Sequence, residues 1–498
     1  MSLNQALGTR QEAHRPQFHF SPAKNWINDP NGLVFFEGEY HLFFQYNPFG
    51  DQWGHMSWGH AVSSDLVHWQ ELPVAIPEDE RVSIYSGSVV VDTHNSSGFG
   101  DGHAPPLVAV YTGCKRVPEG GQAQELACST DRGRTWTKYP GNPVLDIGQR
   151  DFRDPKVFWH AATARWVMVV VLPDERRAKF YASGDLKDWA WLSDFSAPFE
   201  GEGIWECPDL IPLPAEGGGT VWLFKVDVFG GHPSGGTGAR IFFGHFDGTR
   251  YTAEPETAPR WADLGADFYA ALSWANLPDA PQRQVWLAWM NCHRYAKHLP
   301  TQPWRGAMTV ARELSLRRGA DGAWQLLQRP LPALQALRGA AHAWVSCALQ
   351  DAQAPLLPPG ADGRAVDIEL ALHACSGGEC GLLLHAGEGD TGTRVGYDAA
   401  HGTVFVDRAH AGFNPPDDGL YAQRREAPVA EPLPGRPLRL RVLVDWSSVE
   451  VFVGDGDLVL TEQVFPPESA RGLRLYAQGG TSNFGPGTAW LLAAARFG

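Results

Sequence analysis

The 498-residue sequence lacks both a long apolar run and an excess of positive charge. No segment approaches the roughly 20 apolar residues that a membrane-spanning helix needs, so we expect no membrane partner. The net charge of −15 disfavours binding to nucleic acid or to anionic lipid. The first 18 residues, MSLNQALGTRQEAHRPQF, lack the apolar core of a secretory signal. This predicts a cytoplasmic protein, or a secreted one if a leader has been removed.

Cysteine is scarce as well. The odd count and scattered spacing predict reduced thiols rather than a disulfide framework. The seven cysteines are Cys114, Cys128, Cys207, Cys292, Cys347, Cys375 and Cys380. Cys375 and Cys380 are close in sequence, but no neighbouring His or Cys pair completes a zinc site. We therefore expect no metal site. We also expect no organic cofactor, because acid–base and nucleophilic side chains are expected to supply the chemistry.

Amphipathic helices are absent from the sequence before residue 325, whereas short strands are frequent. Segments such as EYHLFFQY, RWVMVVVL and TVWLFKVD are rich in β-branched and aromatic residues and are bounded by turn formers. A weak signature recurs between them, in which a turn containing Asp is followed by an aromatic residue. The signature ends at Trp69, Trp136, Trp189 and Tyr251. Intervals of roughly 50–70 residues suit blades of four strands, so the sequence predicts an all-β propeller.

Three acidic motifs occur at similar positions ahead of these turns. They are NDPNG with Asp29, FRDPKV with Asp154 and WECPDL with Glu206. Each motif comes just before an apolar strand of its own repeat. If the repeat is a blade, the three carboxyl groups meet at the mouth of one central channel.

The C-terminal third of the chain has a different pattern. A short Leu/Ala-rich helical segment near residues 333–338 is followed by alternating strands such as AVDIELAL and PLRLRVLVD. Period-2 alternation with frequent turns is typical of a β-sandwich. We therefore expect a propeller domain at 1–330, a connector at 331–345 and a sandwich domain at 346–498.

Two carboxyl groups on either side of a glycosidic bond are sufficient to hydrolyse it. Asp29 suits the nucleophile, because Asn28 and Asn31 can donate hydrogen bonds to its ionised form. Glu206 suits the proton donor, because nearby carboxylates should raise its pKa. Asp154 follows Arg153, which should keep it charged and able to stabilise a cationic transition state.

Other chemistries fit the sequence less well. No GxSxG, P-loop, Rossmann or HExxH pattern stands in a suitable context. Cys207, beside Glu206, is a conceivable nucleophile, but its motif contains no histidine to activate it. Trp53 and Trp289 could face the apolar side of a sugar, although any single Trp of this Trp-rich chain equally suits core packing.

The ordered motifs WINDPNG (26–32), YSGS (85–88), FRDPKV (152–157) and WECPDL (205–210) resemble glycoside hydrolase family thirty-two. This family contains invertases, levanases, exo-inulinases and fructosyltransferases. The segment VDWSSVEVFVGDG (444–456) resembles the C-terminal sandwich of the family. The resemblance implies a five-bladed β-propeller followed by a β-sandwich, and retention of configuration through a covalent fructosyl-enzyme.

The resemblance also implies roles for individual residues. Asp29 matches the nucleophile, Glu206 the acid/base and Asp154 the transition-state stabiliser. Tyr85 stands where the family usually has Phe and adds a hydroxyl to the pocket wall, while Cys292 and His293 depart from the usual sequence next to a subsite beyond the first sugar. Residues that match positions holding the terminal fructose are Asn28, Gln45, Trp53, Ser86, Arg153 and Trp289.

The expected function is that of an exo-acting β-fructosidase that releases terminal β-D-fructose from sucrose and from β-fructans such as inulin and levan. One alternative is a fructosyltransferase, in which a sugar hydroxyl rather than water resolves the intermediate. Another is a carbohydrate-binding propeller without catalysis, which would lack one of the acids. The expected partner is a small saccharide, and the sequence leaves the oligomeric state open.

Overall fold

The computed structural model describes residues 12–117, 120–197, 203–256, 258–280, 282–319, 321–389, 391–416, 419–433 and 435–498. Nearly all regular structure in these residues is strand. The described residues also form 3-10 helices at Ala161–Thr163, Ala296–His298 and Pro332–Leu337. None of the described helices is long and apolar enough to cross a membrane. The predicted all-β class is therefore confirmed.

The strands of the propeller, in chain order, are β1 Asn25–Phe36, β2 Glu39–Tyr46, β3 Ser57–Ser63, β4 Gln70–Ile76, β5 Val82–Val91, β6 Leu107–Lys115, β7 Gln122–Ser129, β8 Thr137–Lys138, β9 Arg153–His160, β10 Arg165–Leu172, β11 Arg177–Ser183, β12 Ala190–Phe195, β13 Ile204–Pro214, β14 Thr220–Phe229, β15 Gly238–Phe246, β16 Tyr251–Ala253, β17 Arg260–Trp261, β18 Tyr269–Ser273, β19 Gln284–Trp289, β20 Trp304–Arg305, β21 Arg312–Arg318 and β22 Trp324–Pro330.

These strands form five antiparallel sheets, which are the blades of the propeller. Blade I contains β1–β4, blade II β5–β8, blade III β9–β12, blade IV β13–β17, and blade V β18, β19, β21 and β22. The ring closes where β20 pairs in parallel with the start of β1, through Asn25 opposite Trp304 and Trp26 opposite Arg305. The first strands of the blades, β1, β5, β9, β13 and β18, lie next to one another around the axis. The predicted five-bladed propeller is confirmed.

Apolar side chains hold neighbouring blades together. Because successive side chains of a strand point to opposite faces, Val89 of β5 packs toward blade I and Val90 toward blade III. Each blade is thus buried on both faces, which explains why strands such as RWVMVVVL are continuously apolar. Packing on both faces of each blade sets the angle between neighbouring blades, and this angle arranges the innermost strands around one axis.

The repeated turn signature lies at the same place in four blades, between the third and fourth strands. In blades I, III and IV the Asp carboxylate accepts hydrogen bonds from backbone N–H groups two and three residues ahead, as in an Asx turn. The four residues are Asp65, Asp131, Asp185 and Asp247. In blade II the bond to Asp131 comes from Thr135, four residues ahead. The signature therefore marks blade turns, as the sequence predicts.

The C-terminal strands are β23 Arg338–Trp344, β24 Cys347–Pro355, β25 Val366–Ser376, β26 Glu379–Ala386, β27 Thr393–Asp398, β28 Thr403–Asp407, β29 Arg425–Pro428, β30 Leu438–Asp445, β31 Ser448–Val453, β32 Leu458–Gln463, β33 Gly472–Phe484 and β34 Gly487–Leu492.

These 12 strands form one continuous antiparallel network, in the order β29-β28-β27-β26-β33-β25-β30-β31-β32, with β24 on β33 and with β34 joining β23 to β25. The network encloses an apolar core of its own, and the predicted β-sandwich is confirmed. The strand Arg338–Trp344 belongs to it. The segment at 331–345, predicted to be a connector, therefore contains a strand of the sandwich in addition to a 3-10 helix.

Buried ion pairs join the sandwich to the propeller. Arg312 of blade V contacts Glu450 of β31 at 2.5 Å, and Arg408 contacts Asp267 at 2.6 Å. His19, which precedes blade I, lies 2.8 Å from both Asp445 and Glu450. These charges are almost fully buried, so each depends on its partners across the interface. The seven cysteines are free thiols, as predicted.

Candidate active site

Every innermost strand departs from regular pairing, β1 at two places and the other four at one, and one such place from each strand lies at the axis. Register shifts fall at residues 27–30 in β1, 84–87 in β5, 153–156 in β9, 206–209 in β13 and 269–272 in β18. Asp154, Cys207 and Ala270 at these places have positive φ angles of 65°, 45° and 55°. A bulge leaves a residue unpaired and changes the direction of its side chain. The five shifts thus turn side chains of adjacent strands toward a common space.

That space is a cavity of about 390 Å³ on the propeller axis. Asp29, Asp154 and Glu206 all line it, although they come from blades I, III and IV. Its volume lies within the range of small-molecule sites. The structure therefore brings together the three carboxyl groups that the sequence singled out.

The Asp29 carboxylate is held at both oxygens. Asn28 Nδ2 donates to Oδ1 at 3.0 Å, and Ser86 Oγ donates to Oδ2 at 2.5 Å. Asn28 is itself fixed, because its Oδ1 accepts a hydrogen bond of 2.8 Å from Trp26 Nε1. The orientation of Asp29 is thus set by a chain of hydrogen bonds that begins in the buried core.

The Glu206 carboxylate accepts hydrogen bonds from the side chains of Arg153 and Tyr269. Arg153 Nε and Nη2 donate to Oε1 at 3.1 and 2.9 Å, and Tyr269 Oη donates to Oε2 at 2.5 Å. Burial acts to raise the pKa of Glu206, but the charges of Arg153 and His293, together with these hydrogen bonds, outweigh it and lower the pKa. The expectation of a raised Glu206 pKa is therefore wrong for the free site, because Arg153 pairs with this carboxylate.

Asp154 lies deeper in the same cavity. Its Oδ2 accepts a hydrogen bond of 2.8 Å from the backbone N–H of Cys207. Burial is the main cause that raises the pKa of Asp154 to about 7; the Arg153 charge opposes this, and the charges of Glu206 and Asp29 add to it. The expectation that Arg153 keeps Asp154 ionised is also wrong for the free site, since the arginine makes its hydrogen bonds to Glu206 instead.

A buried polar layer follows the three acids along the innermost strands. Lys156 Nζ donates to Asp209 Oδ2 at 3.3 Å and to the Ser273 carbonyl at 2.7 Å, which links blades III, IV and V. On the other side, Ser88 Oγ donates to the carbonyl of Pro155 at 2.9 Å and so joins blades II and III. All of these side chains are buried. These hydrogen bonds thus join blades II, III, IV and V next to the acids.

Most of the residues predicted to hold a sugar line the cavity. They are Asn28, Gln45, Trp53, Tyr85, Ser86 and Arg153. The Nε2 group of Gln45 is buried and has no hydrogen-bond partner among the described residues, so it is a donor able to bind a ligand. Trp53 is 54% exposed and meets the edge of Tyr85, with ring centroids 6.2 Å apart. A buried donor and an exposed ring are the groups expected of a sugar site.

Trp289 does not line the cavity. Its side chain is fully buried, packed against Trp26 and His293 at centroid distances of 5.9 and 4.9 Å. The expectation that Trp289 contacts a sugar is corrected by this placement, because the ring belongs to the core between blades V and I. The structure instead supports the alternative interpretation, in which Trp289 packs in the core.

Several residues of the site were not assigned roles from the sequence. Gln122, Asp151, Ile204 and Phe229 also line the cavity, and so does His293, which the sequence placed next to a subsite beyond the first sugar. Tyr269, in the segment DFYA (267–270), was likewise given no role from the sequence. Asp227, directly opposite Glu206 in the β13–β14 pair, carried no sequence signal; burial is the main cause that raises its pKa to about 7.

Cys207 does not suit the nucleophile of the alternative thiol chemistry. Its Sγ lies 3.5 Å from Asp29 Oδ2 and acts as a donor to it. Burial, together with the negative charges of Asp154 and Asp29, raises the pKa of the thiol well above its ordinary value. The thiolate that such chemistry requires is therefore strongly disfavoured.

Sequence comparison places the chain among known proteins. The family description "Glycosyl hydrolases family 32 N-terminal domain" matches residues 19–330, and "Glycosyl hydrolases family 32 C terminal" matches residues 333–490. A levanase of Bacillus subtilis is 45% identical over 479 residues, which cover 94% of this chain and 69% of the relative. An extracellular exo-inulinase of Aspergillus awamori is 38% identical over 506 residues, which cover 95% of this chain and 93% of the relative.

Solved structures show the same architecture. The crystal structure of the exo-inulinase from Aspergillus awamori matches with a TM-score of 0.90 at 36% identity, covering 98% of this chain and 100% of that structure. A β-fructofuranosidase from Schwanniomyces occidentalis, complexed with fructosyl-erythritol, matches with a TM-score of 0.88 at 29% identity, covering 99% and 100%. Both likenesses extend over the propeller and the sandwich.

A propeller whose axis gathers three carboxyl groups in one cavity, together with these matches, defines a glycosidase. The chain belongs to glycosyl hydrolases family 32. The family resemblance inferred from the sequence motifs is confirmed.

The expected cytoplasmic location is contradicted by the comparisons, because the Aspergillus awamori relative, which matches over nearly its whole length, is named as extracellular. The expectation rested on the lack of an apolar core near the N-terminus. Such a lack does not report where a mature chain resides.

Proposed function

We propose that the protein is an exo-acting β-fructosidase that releases terminal β-D-fructose from sucrose and β-fructans with retention of configuration. The observation that carries this proposal is the convergence of Asp29, Asp154 and Glu206 on one cavity. The names of the relatives, levanase and exo-inulinase, support a β-fructan as substrate. The complex of the Schwanniomyces enzyme with fructosyl-erythritol supports a fructosyl unit as the bound group.

In the first step, Asp29 attacks the anomeric carbon of the terminal fructosyl unit. The bond between that carbon and the bridging oxygen breaks, and Glu206 gives its proton to the departing oxygen. A covalent fructosyl ester on Asp29 results. The hydrogen bonds from Asn28 and Ser86 hold the attacking carboxylate in place.

In the second step, a water molecule enters on the side vacated by the leaving group. Glu206, now ionised, takes a proton from this water while the oxygen attacks the anomeric carbon and Asp29 leaves. Free β-fructose forms, and both carboxyl groups return to their starting states. Asp154 stays unreacted and stabilises the positive charge that develops on the sugar ring.

The proton needed for the first step is held within the cluster of carboxyl groups. In the free site, burial raises the pKa of Asp154 to about 7, whereas Arg153 favours ionised Glu206. Coupled groups such as these titrate as a unit. A bound sugar displaces water from Glu206 and so disfavours its charged form. We propose that in the substrate complex the proton resides on Glu206 and Asp154 is ionised.

Exo action is supported by the buried layer that follows the three acids along the innermost strands. Lys156, Asp209 and Ser273 join three blades there through hydrogen bonds, so we infer that a polymer does not pass through the axis. A terminal sugar that enters the cavity meets the Gln45 donor and the three acids, while Trp53 stands at the exposed side. The remainder of a chain would extend toward solvent.

The residues proposed for chemistry and binding all belong to the part of the chain before residue 330. We propose a propeller domain at 1–330 and a sandwich domain at 346–498, with the strand Arg338–Trp344 of the segment between them counted in the sandwich, and we assign the sandwich a structural role. The buried ion pairs of Arg312 and Arg408 with sandwich residues support this role, because they brace blade V from outside the cavity.

The test is the rate of fructose release from sucrose, short inulin-type oligomers, inulin and levan. We expect free fructose as the first product from every substrate that is cleaved. Internal fragments of inulin or levan would contradict exo action, and a dominance of longer oligosaccharides at high sucrose would favour fructosyl transfer. The matched variant Glu206→Gln keeps the shape of the acid and should lose at least about 10³-fold in kcat.

A further inference from the structure

A buried ion pair lies behind the strand that carries Glu206. Lys225 and Asp227 stand two residues apart on strand β14, so their side chains share one face, and Lys225 Nζ lies 2.5 Å from Asp227 Oδ2. Both side chains are fully buried. They are not among the described residues that line the cavity, so we expect neither to touch a bound sugar. The two-step reaction proposed for the acids uses neither side chain.

The pair stands opposite the bulge of strand β13. Glu206 pairs with Asp227 at one end of the bulge, and Asp209 pairs with Lys225 at the other. Three steps along β13 thus match two steps along β14, and a bulge of this kind leaves its extra residue without a partner in the ladder. The Lys225 ammonium takes the place of that partner, because Nζ donates a hydrogen bond of 2.6 Å to the carbonyl of Cys207.

Cys207 has a backbone conformation that needs such support. Its φ angle is 45°, in the left-handed region that residues other than glycine rarely adopt. Its N–H donates to Asp154 Oδ2 at 2.8 Å, and Glu206 is the residue before it. The bond from Lys225 to the Cys207 carbonyl therefore acts on a peptide segment that bears one of the three acids and binds another.

We propose that Lys225, held in place by Asp227, is a positioning residue for catalysis: it fixes the bulge at Cys207 and thereby aims Glu206 at the departing oxygen and keeps the Cys207 N–H on Asp154. This inference rests on the proposed function, in which Glu206 is the proton donor. A buried ammonium is stable only where a counter-charge and acceptors hold it, so Asp227 in turn fixes Lys225. A displacement of about 1 Å at a reacting group can lower a rate about 100-fold, so support of the bulge bears directly on catalysis.

The experiment compares two substrates that need Glu206 to different extents. Sucrose requires a proton on its departing oxygen, whereas an aryl β-D-fructofuranoside with an acidic phenol as leaving group does not. The quantity measured is the selectivity, that is, kcat/KM for sucrose divided by kcat/KM for the aryl fructoside. This ratio concerns only the steps up to loss of the leaving group, in which Glu206 acts as the acid.

The first variant is Lys225→Met, which keeps a long unbranched side chain and removes the donor to the Cys207 carbonyl. We expect kcat/KM to fall about 100-fold on sucrose, where both Glu206 and Asp154 are needed, and about 10-fold on the aryl fructoside, where Asp154 alone is needed. The selectivity should therefore fall about 10-fold.

Two further variants separate positioning from stability. Lys225→Met leaves Asp227 buried without its partner and should lower the melting temperature. The double variant Lys225→Met/Asp227→Asn removes both charges and should melt closer to the wild type, but its selectivity should stay about 10-fold low, because the Cys207 carbonyl still lacks its donor. Asp227→Asn alone retains Lys225 and should keep most of the selectivity.

The matched control is Lys179→Met. Lys179 also pairs with an aspartate, Asp194, at 2.9 Å, but it lies in blade III outside the cavity. Both rates and the selectivity of this variant should equal those of the wild type.

Equal losses on both substrates in Lys225→Met and in the double variant would overturn the proposal, because a pair that only stabilises the fold lowers the amount of active protein regardless of the leaving group. Wild-type selectivity in both variants would overturn it as well. If Lys225→Met does not fold, the double variant decides alone.

A failure of the proposed function gives a different result, in which the wild type cleaves neither substrate or Glu206→Gln keeps its activity on sucrose. If Glu206→Gln loses sucrose cleavage but keeps most of its kcat/KM on the aryl fructoside, the proposed function stands whatever the Lys225 variants show.

Discussion

Ser86 Oγ donates a hydrogen bond of 2.5 Å to Asp29 Oδ2, and the two residues belong to the innermost strands of neighbouring blades. This contact crosses the boundary between blade I and blade II. The angle between these blades therefore sets the direction of the carboxylate that we propose as nucleophile. The packing of these two blades thus helps to orient the carboxylate proposed to attack the sugar.

Removing this hydrogen bond should slow catalysis. For Ser86→Ala we expect kcat/KM on sucrose to fall by about 10- to 100-fold, the usual cost of losing a hydrogen bond to a charged group. Ser83→Ala is the matched control, because Ser83 lies on the same strand and contacts Glu78 outside the cavity. A loss of less than about twofold in Ser86→Ala would show that Asp29 is oriented by other contacts.

Tyr269 should influence how catalysis depends on pH, because its hydroxyl donates a hydrogen bond to Glu206. Its hydroxyl is one of the groups that lower the pKa of this carboxyl, so Tyr269→Phe should raise it. A proton donor with a higher pKa stays protonated to higher pH. We therefore expect the alkaline limb of the kcat profile, which reports the substrate complex in which Glu206 carries the proton, to move upward by roughly 1 pH unit.

The control for this profile is Tyr251→Phe, which removes a buried hydroxyl that donates to the Phe242 carbonyl in blade IV, away from the cavity. Its alkaline limb should coincide with that of the wild-type protein. A downward shift in Tyr269→Phe, or equal shifts in both variants, would contradict the assignment of Glu206 as the titrating donor.

Variants of Trp53 and Trp289 test which of the two tryptophans contacts the substrate. Trp53 is 54% exposed at the cavity, whereas Trp289 is fully buried. Trp53→Ala should raise KM for sucrose by about 5- to 20-fold, because a stacking surface is lost, and should leave the unfolding free energy nearly unchanged.

Trp289→Phe should lower the unfolding free energy by about 1–3 kcal/mol, because it leaves a void in the core. Its KM should stay within about threefold of the wild-type value. Chemical denaturation and steady-state kinetics of the two variants provide both quantities. A reversed pattern would place Trp289 in contact with substrate after all.

The buried His19 should make stability depend on pH. Burial acts to lower its pKa, but hydrogen bonds and charges from Asp445 and Glu450 outweigh it and raise the pKa to about 9, from an ordinary value of 6.5. Because the folded pKa is the higher one, the stabilisation is complete below about pH 6.5 and is lost as the pH rises through about 9.

The loss should amount to roughly 3 kcal/mol in the free energy of unfolding across this window. Urea denaturation between pH 6 and 10 measures it. In His19→Gln the slope between pH 6.5 and 9 should be much smaller. If the variant keeps the wild-type slope, the dependence arises from another group.

Much of the fold could be predicted from local sequence. Strands such as EYHLFFQY coincide with β2 because their residues favour extended structure, and the turns at Asp65 and Asp185 are encoded by side chains that bind their own backbone. The convergence of Asp29, Asp154 and Glu206 followed from their repeated positions in the blades. Local pattern and repeat length were sufficient for these features.

Features that depend on contacts between blades could not be predicted. The sequence does not show that Arg153 turns to Glu206 rather than to its neighbour Asp154, so the order of their pKa values was predicted wrongly. Asp227 gave no signal, because its position opposite Glu206 arises only when β13 pairs with β14. The burial of Trp289 likewise depends on how blade V packs on blade I.

The most direct test of the central claim is the mass of the Asp29-containing peptide in Glu206→Gln after brief reaction with an aryl β-fructofuranoside and acid quenching. The aryl group leaves without a proton from Glu206, and the ester persists because no base activates water. We expect this peptide to gain the mass of one fructosyl unit. An unlabelled Asp29 peptide with the label on Asp154, or turnover of the aryl fructoside to free α-fructofuranose with no label, would contradict Asp29 as the nucleophile of a retaining enzyme.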